Sequence, residues 1–323
     1  MPWNDLKSKY NFIQINLHAN DLDLAVIDNY FDAVRDSIKD SSGVLIFWAP
    51  GQIISLSPVK DQLDNFCKSI TNPVVFCTGL LRPGDINYFE YESAANWNSA
   101  TIELKSRGKK FSFIGTKDYP IRKFILSNII THGYLDQGHV SYTQLNTGGF
   151  PSQFSLEEKE HVAAVADIAD SYLPLPSLDS KNGYFTMPCP VFLDCYLNVV
   201  TETYIEIPDN CTFLSEKIYC AIASGQMFIA SSPPGTLQYL RSKGYQTFGK
   251  YIDESYDNIE NDYQRLLAVN KSLMEFISQP IEKIHEIYTE CFPIIIHNKN
   301  TLTNNTYFKD LCSIIDQAYN EKI

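Results

Sequence analysis

None of the eight cysteines, at positions 67, 77, 189, 195, 211, 220, 291 and 312, forms a Cys-x-x-Cys pair. None stands with histidine at the spacing of a zinc site either, so a zinc-finger or thiol-redox reading has no support. Several lie in apolar runs, such as Cys77 after Val74-Val75-Phe76. They read as reduced, buried thiols, which suits a cytoplasmic setting. The first segment, MPWNDLKSKYNF, lacks the apolar core of a secretion signal. No apolar run is long enough to cross a bilayer, so no membrane span is expected. Positive charge is also short, with 26 Lys and Arg against 38 Asp and Glu, a net charge of −12. Such a chain repels nucleic acid and anionic membrane as a whole, and only a local basic patch would override that. There is no internal repeat and no low-complexity tract.

What is present is a globular composition, 44% hydrophobic and 20% charged over 323 residues. That is enough chain for two ordinary domains and a sizeable core. The first half alternates strand and helix patterns. Phe12–Leu17, Gly43–Ala49, Pro73–Cys77, Lys110–Ile114 and His139–Tyr142 read as strands. Leu22–Ser37, Val59–Ile70, Pro120–Thr131 and Leu156–Tyr172 read as helices. Alternation of this kind predicts α/β architecture with a parallel sheet covered on both faces. Pro174–Pro190 carries four prolines and reads as a linker. The expected division is therefore an N-terminal domain over 1–175, a second over 190–300 and a C-terminal helix over 301–323. Asn258–Glu290 reads as helical with a break near Pro280, and a short apolar run follows at Phe292–His297.

The densest chemistry lies between Asp194 and Asp257. An apolar strand ends at Glu202. Ser215 is placed as a helix N-cap ahead of Glu216 and Lys217, and a second strand covers Phe228–Ala230. A Ser-Pro-Pro-Gly turn then opens another helix. Backbone N–H groups at a helix start attract phosphate, Lys217 adds a full positive charge, and Glu216 suits a ribose diol. Taken together they suggest a site for a nucleoside-diphosphate sugar, although in isolation Glu216 and Lys217 are better explained as an ordinary helix start with exposed charges.

Around these residues the sequence resembles a known pattern. Thr201-Glu202, Ser215-Glu216-Lys217, Met227-Phe228-Ile229, Gly235-Thr236-Leu237, Leu240-Arg241 through Thr247-Phe248 and Asp253-Glu254-Ser255-Tyr256-Asp257 occur in the same order in small glycosyltransferase-like proteins of bacteria and tailed phages. These are related to fucosyltransferase-like and exostosin-like enzymes. Met227 replaces the usual Pro and Tyr245 the usual Phe, and both changes keep apolar character. Upstream, Phe113–Arg122 is similar to a strand-to-helix turn of the same proteins. The resemblance covers roughly residues 111 to 265.

It implies two Rossmann-like domains facing a cleft, the GT-B arrangement, with C-terminal helices, in bacterial or phage-infected cytoplasm. It also implies transfer of a sugar from a UDP- or GDP-sugar to an acceptor hydroxyl. The donor residues would be Glu202, Ser215, Glu216, Lys217 and Arg122, with Ser231, Gly235 and Thr236 at the adjacent turn. Asp253 and Glu254 would be structural. No obligatory metal is expected, because Lys217, Arg122 and helix N–H groups would offset the leaving diphosphate. Asp21-Leu22-Asp23 reads as a helix cap rather than a metal motif. The general base would come from the first domain, with Asp85, Glu90, Glu92 and His18 as candidates. The run Lys105, Arg107, Lys109, Lys110, Lys117 and Lys123, with Trp97 and Tyr119 nearby, would suit hydroxymethylated phage DNA as acceptor. The alternatives are a solvated charge run with a glycan acceptor, and a non-catalytic sugar-nucleotide-binding protein.

Overall fold

The computed structural model describes residues 12–16, 27–39, 43–49, 60–78, 80–81, 88–90, 101–115, 118–142, 148–173, 175, 190–203, 205–206, 212–304 and 307–322. In chain order the strands are β1 (Phe12–Asn16), β2 (Val44–Ala49), β3 (Val74–Thr78), β4 (Leu80–Leu81), β5 (Tyr88–Glu90), β6 (Lys109–Gly115), β7 (Gly138–Tyr142), β8 (Cys195–Thr201), β9 (Thr212–Phe213) and β10 (Met227–Ser231). The helices are α1 (Ile27–Ile38), α2 (Lys60–Ser69), α3 (Pro120–Thr131), α4 (Leu156–Asp170), α5 (Pro190–Leu193), α6 (Glu216–Ala223), α7 (Thr236–Ser242), α8 (Asp262–Ile277), α9 (Ile281–Thr303) and α10 (Tyr307–Lys322). The fold is α/β, built on parallel sheets with helices between the strands. No helix among the described residues is long and apolar enough to cross a membrane.

The chain forms two compact units. The first comprises Met1–Ala95, Pro208–Ser215 and Thr306–Ile323. Its sheet has the order β1-β2-β3-β5, all parallel, and β4 pairs antiparallel with β9. Phe31 of α1 stacks on Phe66 of α2 with ring centroids 4.6 Å apart, and Val44, Leu45, Val74 and Val75 are buried. The last helix, α10, packs on β3 and β5.

The second unit comprises Asn96–Ile207 and Glu216–Asn305. Its sheet has the order β10-β8-β6-β7, again all parallel. Every residue of β8 and β10 is buried, the mark of strands covered on both faces. Asn198 and Gln226 interrupt the apolar interior. Asn198 Nδ2 donates to Gln226 Oε1 at 3.0 Å, and Gln226 Nε2 donates to Ser112 Oγ at 3.1 Å. A satisfied polar chain of this kind fixes strand register, because a slip would orphan its members. Helix α6 packs on β8, β10 and α9, while α3 packs on α4 and α8.

The expected boundary near 175 does not separate the strands on its two sides. β6 and β7 lie before it and β8 and β10 after it, and they share one sheet. Prolines mark a connection, but strand pairing is decided over long range, so a Pro-rich stretch need not be a domain edge. The expected C-terminal piece also divides differently, with 301–305 completing α9 in the second unit and 306–323 joining the first. Helix α9 runs through Pro293, where the sequence pattern suggested an end near Glu290. One proline removes one backbone bond, and the buried residues Cys291, Ile295, Asn298 and Leu302 carry the helix past it.

Candidate functional site

The second sheet changes winding direction between β6 and β8. The chain moves outward from β6 to β7, then returns to the other side of β6 for β8 and β10. In open parallel sheets a ligand crevice lies outside the carboxyl ends of the strands at such a switch point. Here those ends are Gly115 of β6 and Thr201 of β8.

Arg122 reaches this edge from the β6 side. Pro120 opens α3 with its fixed φ, and Arg122 sits in the first turn among apolar residues that bury the helix on most sides. Its guanidinium is 2% exposed, donates from Nη2 to the Thr201 carbonyl at 3.0 Å, and stands 5.0 Å from the Tyr119 ring centroid. Glu202 follows from the β8 side. It is 1% exposed, and its N–H donates to the Ser231 carbonyl at 2.9 Å, which ties the ends of β8 and β10. Lys217 of α6 completes the group, with Nζ 3.5 Å from Glu202 Oε2 and its side chain partly exposed. Helix α6 is apolar over Ile218–Ala223, all buried, and stops at Gly225 with φ +63. A Cβ at Gly225 would meet Ile102 Cγ2 at 2.6 Å, so this stop requires glycine twice over.

Arg122, Glu202, Lys217 and Ser231 therefore meet at one edge of the second unit. Ser215 is buried and belongs to the first unit's segment, directly before α6. Glu216 is the first residue of α6, and its side chain lies outside the described set. Gly235 and Thr236 are occupied internally. Gly235 N–H donates to the Asp257 carbonyl at 2.7 Å, and Thr236 Oγ1 donates to Pro233 O at 2.7 Å. The α7 start is filled by the Asp257 carboxylate, which accepts from Leu237 N at 2.8 Å and Gln238 N at 2.9 Å. An acid of the chain itself thus stands where the turn suggested phosphate, and burial pushes that carboxyl above its ordinary value. Asp253 and Glu254 are engaged by neighbouring groups of the chain. Asp253 Oδ1 accepts from Ser255 N, and Glu254 accepts from Phe248 N and Thr247 Oγ1.

Arg265 is a member that sequence reasoning missed. Its buried guanidinium donates to Ile205 O at 2.7 Å and Ser232 O at 2.9 Å, one beyond each of β8 and β10, and it also pairs with buried Asp262. It holds the two loops that flank Glu202. Nothing local distinguishes it in sequence from any helical Arg three residues after an Asp.

The described members of the basic run do not form one surface. Arg107 is buried and donates to the carbonyls of Phe192, Cys195, Ser224 and Gly225 and to the Tyr288 hydroxyl. Lys110 is buried too. Its Nζ donates to Ile277 O at 2.9 Å, and burial lowers its pKa despite the opposing pull of Glu282. Lys105 lies 3.6 Å from Glu103, Lys109 donates to Asp136 O, and Lys123 pairs with Asp170 and Asp118. Tyr119 lies under Arg122 rather than offering an open ring. His18, Asp21, Asp23, Asp85, Glu92, Trp97 and Lys117 lie outside the described residues, and Glu90 ends β5 with its side chain outside them.

No family model matches the chain, and no curated protein matches it. Among solved structures it is similar to the trehalose-6-phosphate phosphatase N-terminal domain of Candida albicans, with 12% sequence identity and a TM-score of 0.44 over 97% of this chain and 72% of that one.

Proposed function

We propose that this protein is a glycosyltransferase that takes a nucleoside-diphosphate sugar, UDP- or GDP-linked, at the carboxyl edge of the second unit's sheet. On this reading the two parallel sheets are the two Rossmann-like domains of a GT-B enzyme. The observation that carries the reading is the meeting of Arg122, Glu202 and Lys217 at the winding switch between β6 and β8. Two cations and one buried acid match the demands of a diphosphate beside a diol. Lys217 is the partly exposed member, so it meets the donor by exchanging its contact with Glu202 for a phosphate oxygen. Arg122 offsets charge on the leaving diphosphate, and Glu202 accepts from sugar or ribose hydroxyls.

A glycan acceptor is favoured over DNA, because Arg107 and Lys110 are buried in the fold rather than displayed. A thermal-shift panel of UDP-, GDP-, ADP- and CMP-sugars tests the donor site. A rise in Tm is expected with UDP- or GDP-sugars for the parent protein and is expected to vanish in Lys217→Ala. No rise with any donor, with glycan acceptors absent or present, rejects the glycosyltransferase reading. Binding without turnover on any acceptor would leave a sugar-nucleotide-binding protein.

A further inference from the structure

Thr201 is the last residue of β8 and is 2% exposed. Its carbonyl is used by Arg122, yet its hydroxyl Oγ1 is buried with no hydrogen-bond partner among the described residues. A hydroxyl withdrawn from water without a partner weakens the folded state. Packing does not call for it. Valine has the same branched shape, suits a strand equally well and carries no such penalty. The orphan is also placed with purpose. It adjoins Glu202 in sequence, and across the ladder it is in register with Ser231 of β10, so the two hydroxyl side chains share one face of the sheet at its carboxyl end.

We propose that Thr201 is a ligand contact whose Oγ1 hydrogen-bonds a diphosphate oxygen of the bound nucleotide sugar. The proposal rests on reading this edge as the donor site. The hydroxyl stays unsatisfied in the free protein and gains its partner on binding. Arg122, bonded to the same residue's carbonyl, places positive charge beside that partner. A hydrogen bond to a charged phosphate is the stronger kind, so its loss should be plain in affinity.

The test compares the parent with Thr201→Val and Thr201→Ser, each measured free and titrated with UDP, GDP and their sugars. Free Thr201→Val is expected to melt at the parent's Tm or above it, since an unpartnered hydroxyl has been removed. Its affinity for the diphosphate is expected to fall about tenfold or more, with Thr201→Ser close to the parent. A lower Tm for free Thr201→Val would mean that the hydroxyl is satisfied within the chain, and would overturn the proposal. So would unchanged affinity in Thr201→Val when the parent binds. Absence of diphosphate binding by the parent would instead remove the donor-site reading and this contact with it. The first two failures leave the donor site standing, and the third does not.

Discussion

Arg107 shows how far a single side chain departs from its local sequence context. It stands in a stretch of lysines, where spacing alone suggests solvent and an anionic partner. Among the described residues its guanidinium has no carboxylate partner. Four backbone carbonyls and the Tyr288 hydroxyl surround it, and the Tyr288 ring centroid lies 4.7 Å away. These acceptors come from the α5–β8 junction, the turn after α6 and α9, so one cation ties together three segments that already pack on one another. Removing it takes a donor from all four carbonyls, although Gly225 O keeps the Tyr288 hydroxyl and Cys195 O keeps Gln226 Nε2. Arg107→Ala is therefore expected to lose about 3–5 kcal/mol of stability, read as a lower urea midpoint. Arg107→Lys should recover only part of that, because an ammonium cannot reproduce the planar fork. A loss under about 1 kcal/mol, the range of a surface charge, would contradict the structural role.

At the scale of the element, the segment after α7 is organised by two acids that the sequence displays but does not explain. Asp257 fills the N-terminus of α7, and Glu254 gathers Phe248 N, Thr247 Oγ1 and Arg241. Strands and helices were legible because their apolar runs and periods are local properties, as in β8 or α3. The occupancy of a helix start was not, because Asp257 lies some twenty residues beyond the N–H groups it accepts from. Burial raises the Glu254 carboxyl above its ordinary value of 4.5, outweighing the hydrogen bonds and Arg241, which act to lower it. The folded protein therefore holds a proton there that the unfolded chain has released. That contribution to stability is full below the ordinary value and is lost as pH rises through the folded-state value. Glu254→Gln keeps the shape and removes the titration. Its stability relative to the parent should thus improve as pH rises from about 4.5 toward neutrality, as read from urea midpoints across that range. A flat difference, or one that moves against the variant, would show that the acid is not raised.

For the whole molecule, the sequence yields the α/β class but not the division into units. The pairing of β6 with β8 spans more than eighty residues and crosses the proline-rich stretch, and no local pattern encodes it. The same long-range burial bears on which acceptor the proposed transferase would use. A net charge of −12 sets a repulsive background for DNA, and only a concentrated patch would reverse it. Each described cation of the basic run is buried or bonded within the chain: Arg107 and Lys110 lie inside, while Lys105, Lys109 and Lys123 are engaged by Glu103, the Asp136 carbonyl, and Asp118 with Asp170. Binding of duplex DNA through phosphate contacts would weaken steeply with salt, by close to one unit of log–log slope per phosphate neutralised. This protein is expected to show no such salt-dependent binding to duplexes with or without hydroxymethylcytosine, and a Lys105→Ala, Lys109→Ala double variant should behave as the parent does. Turnover would then be sought on glycan acceptors. Tight, salt-sensitive binding that the double variant weakens would reverse the argument and return modified DNA as the acceptor, because local charge would have overcome the field of the whole chain.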